Sequence, residues 1–151
     1  MSSSAGRITD IGHAAYACFD LDASLRFYAL LGLHEAFRLN RDDGAPWLVY
    51  VHVAGDRFLE FFTDGPAPDG ERPRTSYMHL CLVVDDLVAV VEDLRGKGVT
   101  IDVEPKRGVD TNLQAWITDP DGNKIELMQL APESPQHAVA NGREPVTPAA
   151  S

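Results

Sequence analysis

The chain has 151 residues, 44% of them hydrophobic and 24% charged, with two cysteines and a formal net charge of −10. That length suits one domain or two small modules sharing a core, and the composition is that of a globular chain. The acidic balance argues against nucleic acid or an anionic membrane as partner, no run approaches the roughly 20 apolar residues of a membrane span, and two cysteines make no disulfide framework, so a reducing cytoplasm is the expected compartment.

Residues 1–9 have no apolar core and are expected to be a flexible lead rather than a signal peptide. Ile11 to Phe19 reads as a first strand containing His13, and Asp20 or Asp22 can cap a helix over Ala23 to Leu31 that Gly32 stops. Leu33 to Leu39, the β-branched Trp47 to Val53, and Arg57 to Thr63 follow as strands, the last with Glu60 near its middle. Residues 65–74, GPAPDGERPR, read as a linker.

After the linker the order returns. Tyr77 to Val84 is a strand containing His79, and Asp85 or Asp86 caps a helix through Lys97 that Gly98 ends. Val99 to Val103, Leu113 to Thr118 and Lys124 to Leu130 read as strands. Asp119-Pro120-Asp121-Gly122-Asn123 is the turn of a hairpin, since Pro presets one dihedral and Gly or Asn accepts positive φ. Residues 132–151 are small, polar and Pro-rich, and read as a flexible tail.

The halves form an internal repeat. His13 and Glu60 are 47 positions apart, as are His79 and Glu126, and an offset of 66 also matches Asp20 with Asp86 and Gly32 with Gly98. The expected organisation is one domain over 9–131, with module one at 9–64 and module two at 75–131. Strand alternation gives Leu59, Phe61, Ile125 and Leu127 to the faces covered by helices. The other faces carry His13, Glu60, His79 and Glu126 in a rim of Phe58, Phe62, Met128 and Leu130.

Two imidazoles and two carboxylates form a set that could hold nickel, zinc, iron, cobalt or manganese, with positions left for water and substrate. Two buried carboxylates repel unless a cation or shared proton lies between them. A plain His–Glu hydrogen bond is the alternative for either pair taken singly. Gln114 and Trp116 share a face next to the strand of Glu126, as a candidate orienting amide and a pocket wall.

The motifs GHAAYACFDLDASLRFYALLGL and DPDGNKIELMQL resemble the vicinal oxygen chelate superfamily, which includes glyoxalase I, bleomycin-resistance proteins, extradiol dioxygenases and methylmalonyl-CoA epimerase. The resemblance implies an α+β fold of paired βαβββ modules forming a curled mixed sheet around a metal-centred cleft, with helices on the outer face. It implies His13, Glu60, His79 and Glu126 as ligands, a homodimer, and a small substrate with vicinal oxygens.

The second carboxylate is closer to the glyoxalase-like branch than to the dioxygenases. The expected activity is therefore a lyase, isomerase or epimerase that transfers a proton next to a carbonyl through a metal-stabilised enediolate, with Glu126 or Glu60 as base. An iron(II) ring-cleaving dioxygenase and a drug- or metabolite-sequestering protein are the alternatives. Glyoxalase I enzymes of this layout carry Arg four residues after the first ligand and Asn four after the second, both for glutathione. Here those positions are Ala17 and Asp64, which implies a substrate other than lactoylglutathione.

Overall fold

Asp20 and Asp86 do the same work in the two halves of the chain. Each carboxylate accepts from the backbone N–H three residues on, Ala23 at 2.9 Å and Ala89 at 3.0 Å. They thereby cap helices α1 (Leu21–Leu30) and α2 (Leu87–Gly96). Both helices stop alike: Gly32 and Gly98 take φ of 79° and 84°, and the next residue's N–H returns to the carbonyl of Tyr28 or Leu94 at 3.0 Å.

The structure, a computed structural model, describes residues 11–67 and 77–146 and divides into two compact units, Met1–Ala67 and Pro68–Ser151. The expected lead at 1–9, most of the linker and the last five residues lie outside the described residues. In the first unit β1 (His13–Ala17) precedes α1, followed by β2 (Glu35–Asn40), β3 (Pro46–Ala54) and β4 (Arg57–Phe62). They form one sheet in the order β1-β4-β3-β2, with β1 parallel to β4 and the other pairs antiparallel. The second unit repeats the plan with β5 (His79–Val83), α2, β6 (Val103–Arg107), β7 (Leu113–Thr118) and β8 (Lys124–Gln129), in the order β5-β8-β7-β6.

Alternation along β4 and β8 sorts the faces. Leu59, Phe61, Ile125 and Leu127 are buried, as expected. Tyr28 of α1 meets Phe61 at 4.8 Å between ring centres, with Tyr16 of β1 completing the cluster. In the second unit Leu87, Val91 and Leu94 of α2 are buried, as are Ala115 and Ile117 of β7. Burial of such side chains stabilises each unit by about 1.5–3 kcal/mol per large residue.

The architecture is α+β with two mixed four-stranded sheets, and the expectation of one curled sheet around a metal-centred cleft is corrected. Each sheet is open, with β1 and β2, or β5 and β6, as its edges. Closure would need the two edge strands of a sheet to pair with each other, and in neither sheet do they.

Two elements differ from expectation in ways the chain explains. Val99, expected to open a strand, instead completes the α2 stop and is 8% exposed. The strand begins at Val103 and includes Pro105, which an edge strand with a register shift between Val103 and Lys106 tolerates. Within the stretch read as a tail, Pro135–Ala140 forms α3, capped by Ser134. It is tied down by Gln136 Nε2 donating to Asp110 at 2.7 Å and by the Ala131 N–H donating to Asn112 Oδ1 at 2.8 Å.

Candidate functional site

The parallel pairing of β1 with β4 sets His13 opposite Phe58, so Glu60, two residues on, shares the face of His13. His13 Nε2 lies 3.4 Å from Glu60 Oε2. In the second unit β5 pairs with β8 in the same register, His79 opposite Lys124 with Glu126 two residues on, and His79 Nε2 lies 3.1 Å from Glu126 Oε2. In both pairs the carboxylate is the covered partner: side-chain exposure is 9% for Glu60 and 15% for Glu126, against 51% and 33% for the histidines. A carboxylate so far out of water requires a proton donor or a cation, and each imidazole stands where one is needed.

The antiparallel neighbours complete each face. Tyr50 of β3 is the register partner of Glu60, and Trp116 of β7 is that of Glu126. The neighbouring Glu60 carboxylate raises the Tyr50 phenol above its ordinary pKa, with burial adding to the effect. Tyr50 is held by Phe37, stacked at 4.3 Å, and by the edge of Phe58 at 6.3 Å. Trp116 spends its Nε1–H on Gln114 Oε1 at 3.0 Å and meets the His79 ring edge-on at 4.7 Å. Cys81, register partner of Glu126, has its thiol pushed up to about 11 by burial, with the negative charges of Glu126 and Asp110 adding to it.

Of the expected pocket residues, Phe58, Gln114, Trp116 and Met128 thus lie on the carboxylate-bearing faces of their sheets. Phe62 lies one pleat beyond Glu60 and meets Trp47 edge-on at 6.0 Å. Tyr50 was not singled out from the sequence, although the repeat offers the signal: it and Trp116 each stand ten positions before a glutamate. Two of the positive groups in the second unit have partners. Lys124 bonds Thr118 and Asp102, and Arg107 bonds the Thr111 carbonyl and Glu133. His52 bonds the Gly55 carbonyl at 2.8 Å across its own turn.

Ala17 ends β1, and Asp64, at φ 68°, forms an ion pair with Arg41. A depression of about 720 Å³ in the first unit is lined by Phe19, Leu21, Arg41, Pro46, Thr63 and Asp64, with three further aspartates around it.

Among the described residues no group of three or more His, Cys, Asp or Glu comes together around one point. Within each unit, however, an imidazole Nε2 and a covered carboxylate oxygen already face each other, and these are donor types that suit a divalent cation. Among the described residues, no helix is long and apolar enough to cross a membrane.

A family model described as the Glyoxalase/Bleomycin resistance protein/Dioxygenase superfamily matches residues 10–127. A lactoylglutathione lyase of Haemophilus influenzae is 32% identical over 126 residues, covering 78% of this chain and 90% of its own. A probable lactoylglutathione lyase of Synechocystis is 30% identical over 125 residues, covering 79% and 94%. The solved structure of the trypanothione-dependent glyoxalase I of Leishmania major superposes with a TM-score of 0.63 at 26% identity, over 81% of this chain and 87% of that one.

Proposed function

Because the chain belongs to the Glyoxalase/Bleomycin resistance protein/Dioxygenase superfamily, we propose that it is a divalent-metal-dependent enzyme moving a proton next to a substrate carbonyl. The observation that carries this reading is one His–Glu pair built twice, from the same strands in the same register. We infer that His13 with Glu60, and His79 with Glu126, are the residues that bind the ion, nickel, zinc, iron, cobalt or manganese. When bound, the ion supplies positive charge to substrate oxygens on which negative charge develops.

The chain's own residues do the rest. Glu126, the less covered carboxylate, takes the proton from carbon and returns it to the same or the adjacent carbon, as a lyase, isomerase or epimerase requires; Glu60 is the other candidate base. Phe58 and Phe62 in the first unit, and Met128 and Trp116 in the second, set apolar side chains beside the carboxylate of their own unit and limit water there, and Gln114 braces the Trp116 indole. Ala17 and Asp64 place no cation where a glutathione carboxylate would need one, which favours a small vicinal-oxygen substrate of another kind. Lactoylglutathione lyase itself is the second reading, favoured by relatives of that activity at 30–32% identity.

The test is titration of metal-stripped protein with each of the five ions, followed by turnover assays on α-hydroxycarbonyl, acyl-thioester epimer and hemithioacetal substrates. One ion per chain is expected, with Glu126→Gln lowering kcat by about 10²-fold or more while leaving the fold intact. Full turnover by E126Q, or wild-type protein that takes up no ion, overturns the reading. Oxygen consumption with iron(II) would place the chain with the ring-cleaving oxygenases, and ligand binding by metal-free protein without turnover would make it a sequestering protein.

A further inference from the structure

Gly108 is a glycine whose own backbone does not require one. It does not take positive φ, and it lies just past β6 in the loop to β7. A Cβ there would run into the Gln114 amide at Nε2 and would stand 2.8 Å from Asp110 Oδ1. We propose that Gly108 and Gln114 form a seat that holds the Trp116 indole against His79, which makes Trp116 a positioning residue for that imidazole. The inference deepens the metal reading above and rests on it for its functional consequence.

The contacts run in one line from the loop to the imidazole. Trp116 Nε1 donates to Gln114 Oε1 at 3.0 Å. An indole can only donate, so the amide must turn its oxygen to Trp116 and its NH2 away, and the NH2 is the end that meets Gly108. The loop beneath the amide is tied in place. Gly108 donates to the Asn112 carbonyl at 2.8 Å and accepts from the Thr111 N–H at 3.0 Å, while Asn112 Nδ2 and Gln136 Nε2 hold Asp110 at 2.8 and 2.7 Å. At the other end the indole meets the His79 ring at 4.7 Å and 74°, the edge-on arrangement that aromatic quadrupoles favour. His79 is also the closer-held of the two histidines, 33% exposed and 3.1 Å from its glutamate, against 51% and 3.4 Å for His13. Groups that orient a ligating imidazole set metal affinity nearly as strongly as the ligands do.

The experiment uses the full-length chain, metal-free and labelled with ¹⁵N and ¹³C. The Trp116 indole N–H and the His79 ring Cε1–H are assigned by their loss in Trp116→Phe and His79→Gln. Gln114→Ala removes the acceptor and Gly108→Ala pushes the amide aside. Each is expected to shift both resonances and to leave those of Trp47 and His13 in place; Q114A carries the test alone if G108A does not fold. Added to Q114A, G108A is expected to shift His79 no further, because the amide it displaces is already gone. Ni²⁺ titrated into stripped protein is expected to bind about 10-fold more weakly to either single variant than to wild type.

An unmoved His79 resonance in either folded single variant overturns the inference, and so does a further shift when G108A joins Q114A. Undiminished Ni²⁺ affinity in Q114A overturns the positioning role. If wild-type protein takes up no Ni²⁺, the metal reading falls, and the resonances still decide whether the seat holds Trp116 against His79.

Discussion

Asp119 shows how much one carboxylate can organise. Its Oδ1 accepts from the N–H groups of Asp121 and Asn123 at 2.9 and 2.8 Å, and its Oδ2 accepts from Asn123 Nδ2 at 2.9 Å. The side chain is 5% exposed, so water cannot replace these bonds if it is removed. Asp119→Ala is therefore expected to lower unfolding free energy by about 3 kcal/mol, read from the midpoint of urea denaturation, because buried donors would be left without an acceptor. The sequence alone marked this turn, since Pro120 and Gly122 announce it, and it marked the four candidate ligands through their spacing. It did not mark Tyr50, because an aromatic residue ten positions before a glutamate carries no meaning until the strands are paired. Its meaning appears only when the β3–β4 register puts it opposite Glu60.

Among the elements, α2 offers two glycines that separate backbone freedom from packing. Gly96 is the last helical residue, with nothing within 4 Å of an added Cβ, whereas Gly98 has the same open space but a φ of +84°. Gly96→Ala is expected to raise stability by about 0.5 kcal/mol, because it restricts the unfolded chain without strain. Gly98→Ala is expected to lower it by about 1 kcal/mol, because an L side chain disfavours that conformation. Thermal melts of the two single variants moving in opposite directions would confirm the pair; equal shifts would show that neither stop depends on φ. Helix stops were legible from the repeated glycines. The start of β6 was not, because Val99 is apolar for the sake of the stop and the true strand hides behind Glu104, Pro105 and Lys106. Helix α3 was hidden for a related reason: its six residues are too few for a periodic pattern, and contacts made by Asn112 and Asp110 hold it.

For the molecule as a whole the repeat was the most legible feature, since matched histidines, glutamates and helix caps all sit at one offset. Closure of the sheets was not legible, because alternation tells which face a residue takes but says nothing of where a ladder ends.

Net charge bears on the choice of substrate at this same scale. A chain at −10 attracts an anionic thiol conjugate only where a local cation overrides the field. Position 17 is Ala, position 64 is Asp, and the nearby Arg41 is committed to Asp64 and donates to Thr63 Oγ1 at 3.3 Å. Were the peptide carboxylates of the hemithioacetal of glutathione and methylglyoxal to dock at these two positions, they would meet a neutral methyl group and an acid whose counter-ion is already engaged. Little turnover of it is expected from the nickel-, zinc- or cobalt-loaded protein, and added salt is expected to help slightly by screening the repulsion. Introducing a cation and an amide with Ala17→Arg and Asp64→Asn is expected to raise kcat/KM for this substrate by about two- to fivefold, both positions being exposed and an exposed ion pair being worth about 0–1 kcal/mol. Robust wild-type turnover at ordinary concentrations would show instead that glutathione is gripped elsewhere, and would align the chain with the lactoylglutathione lyases it resembles.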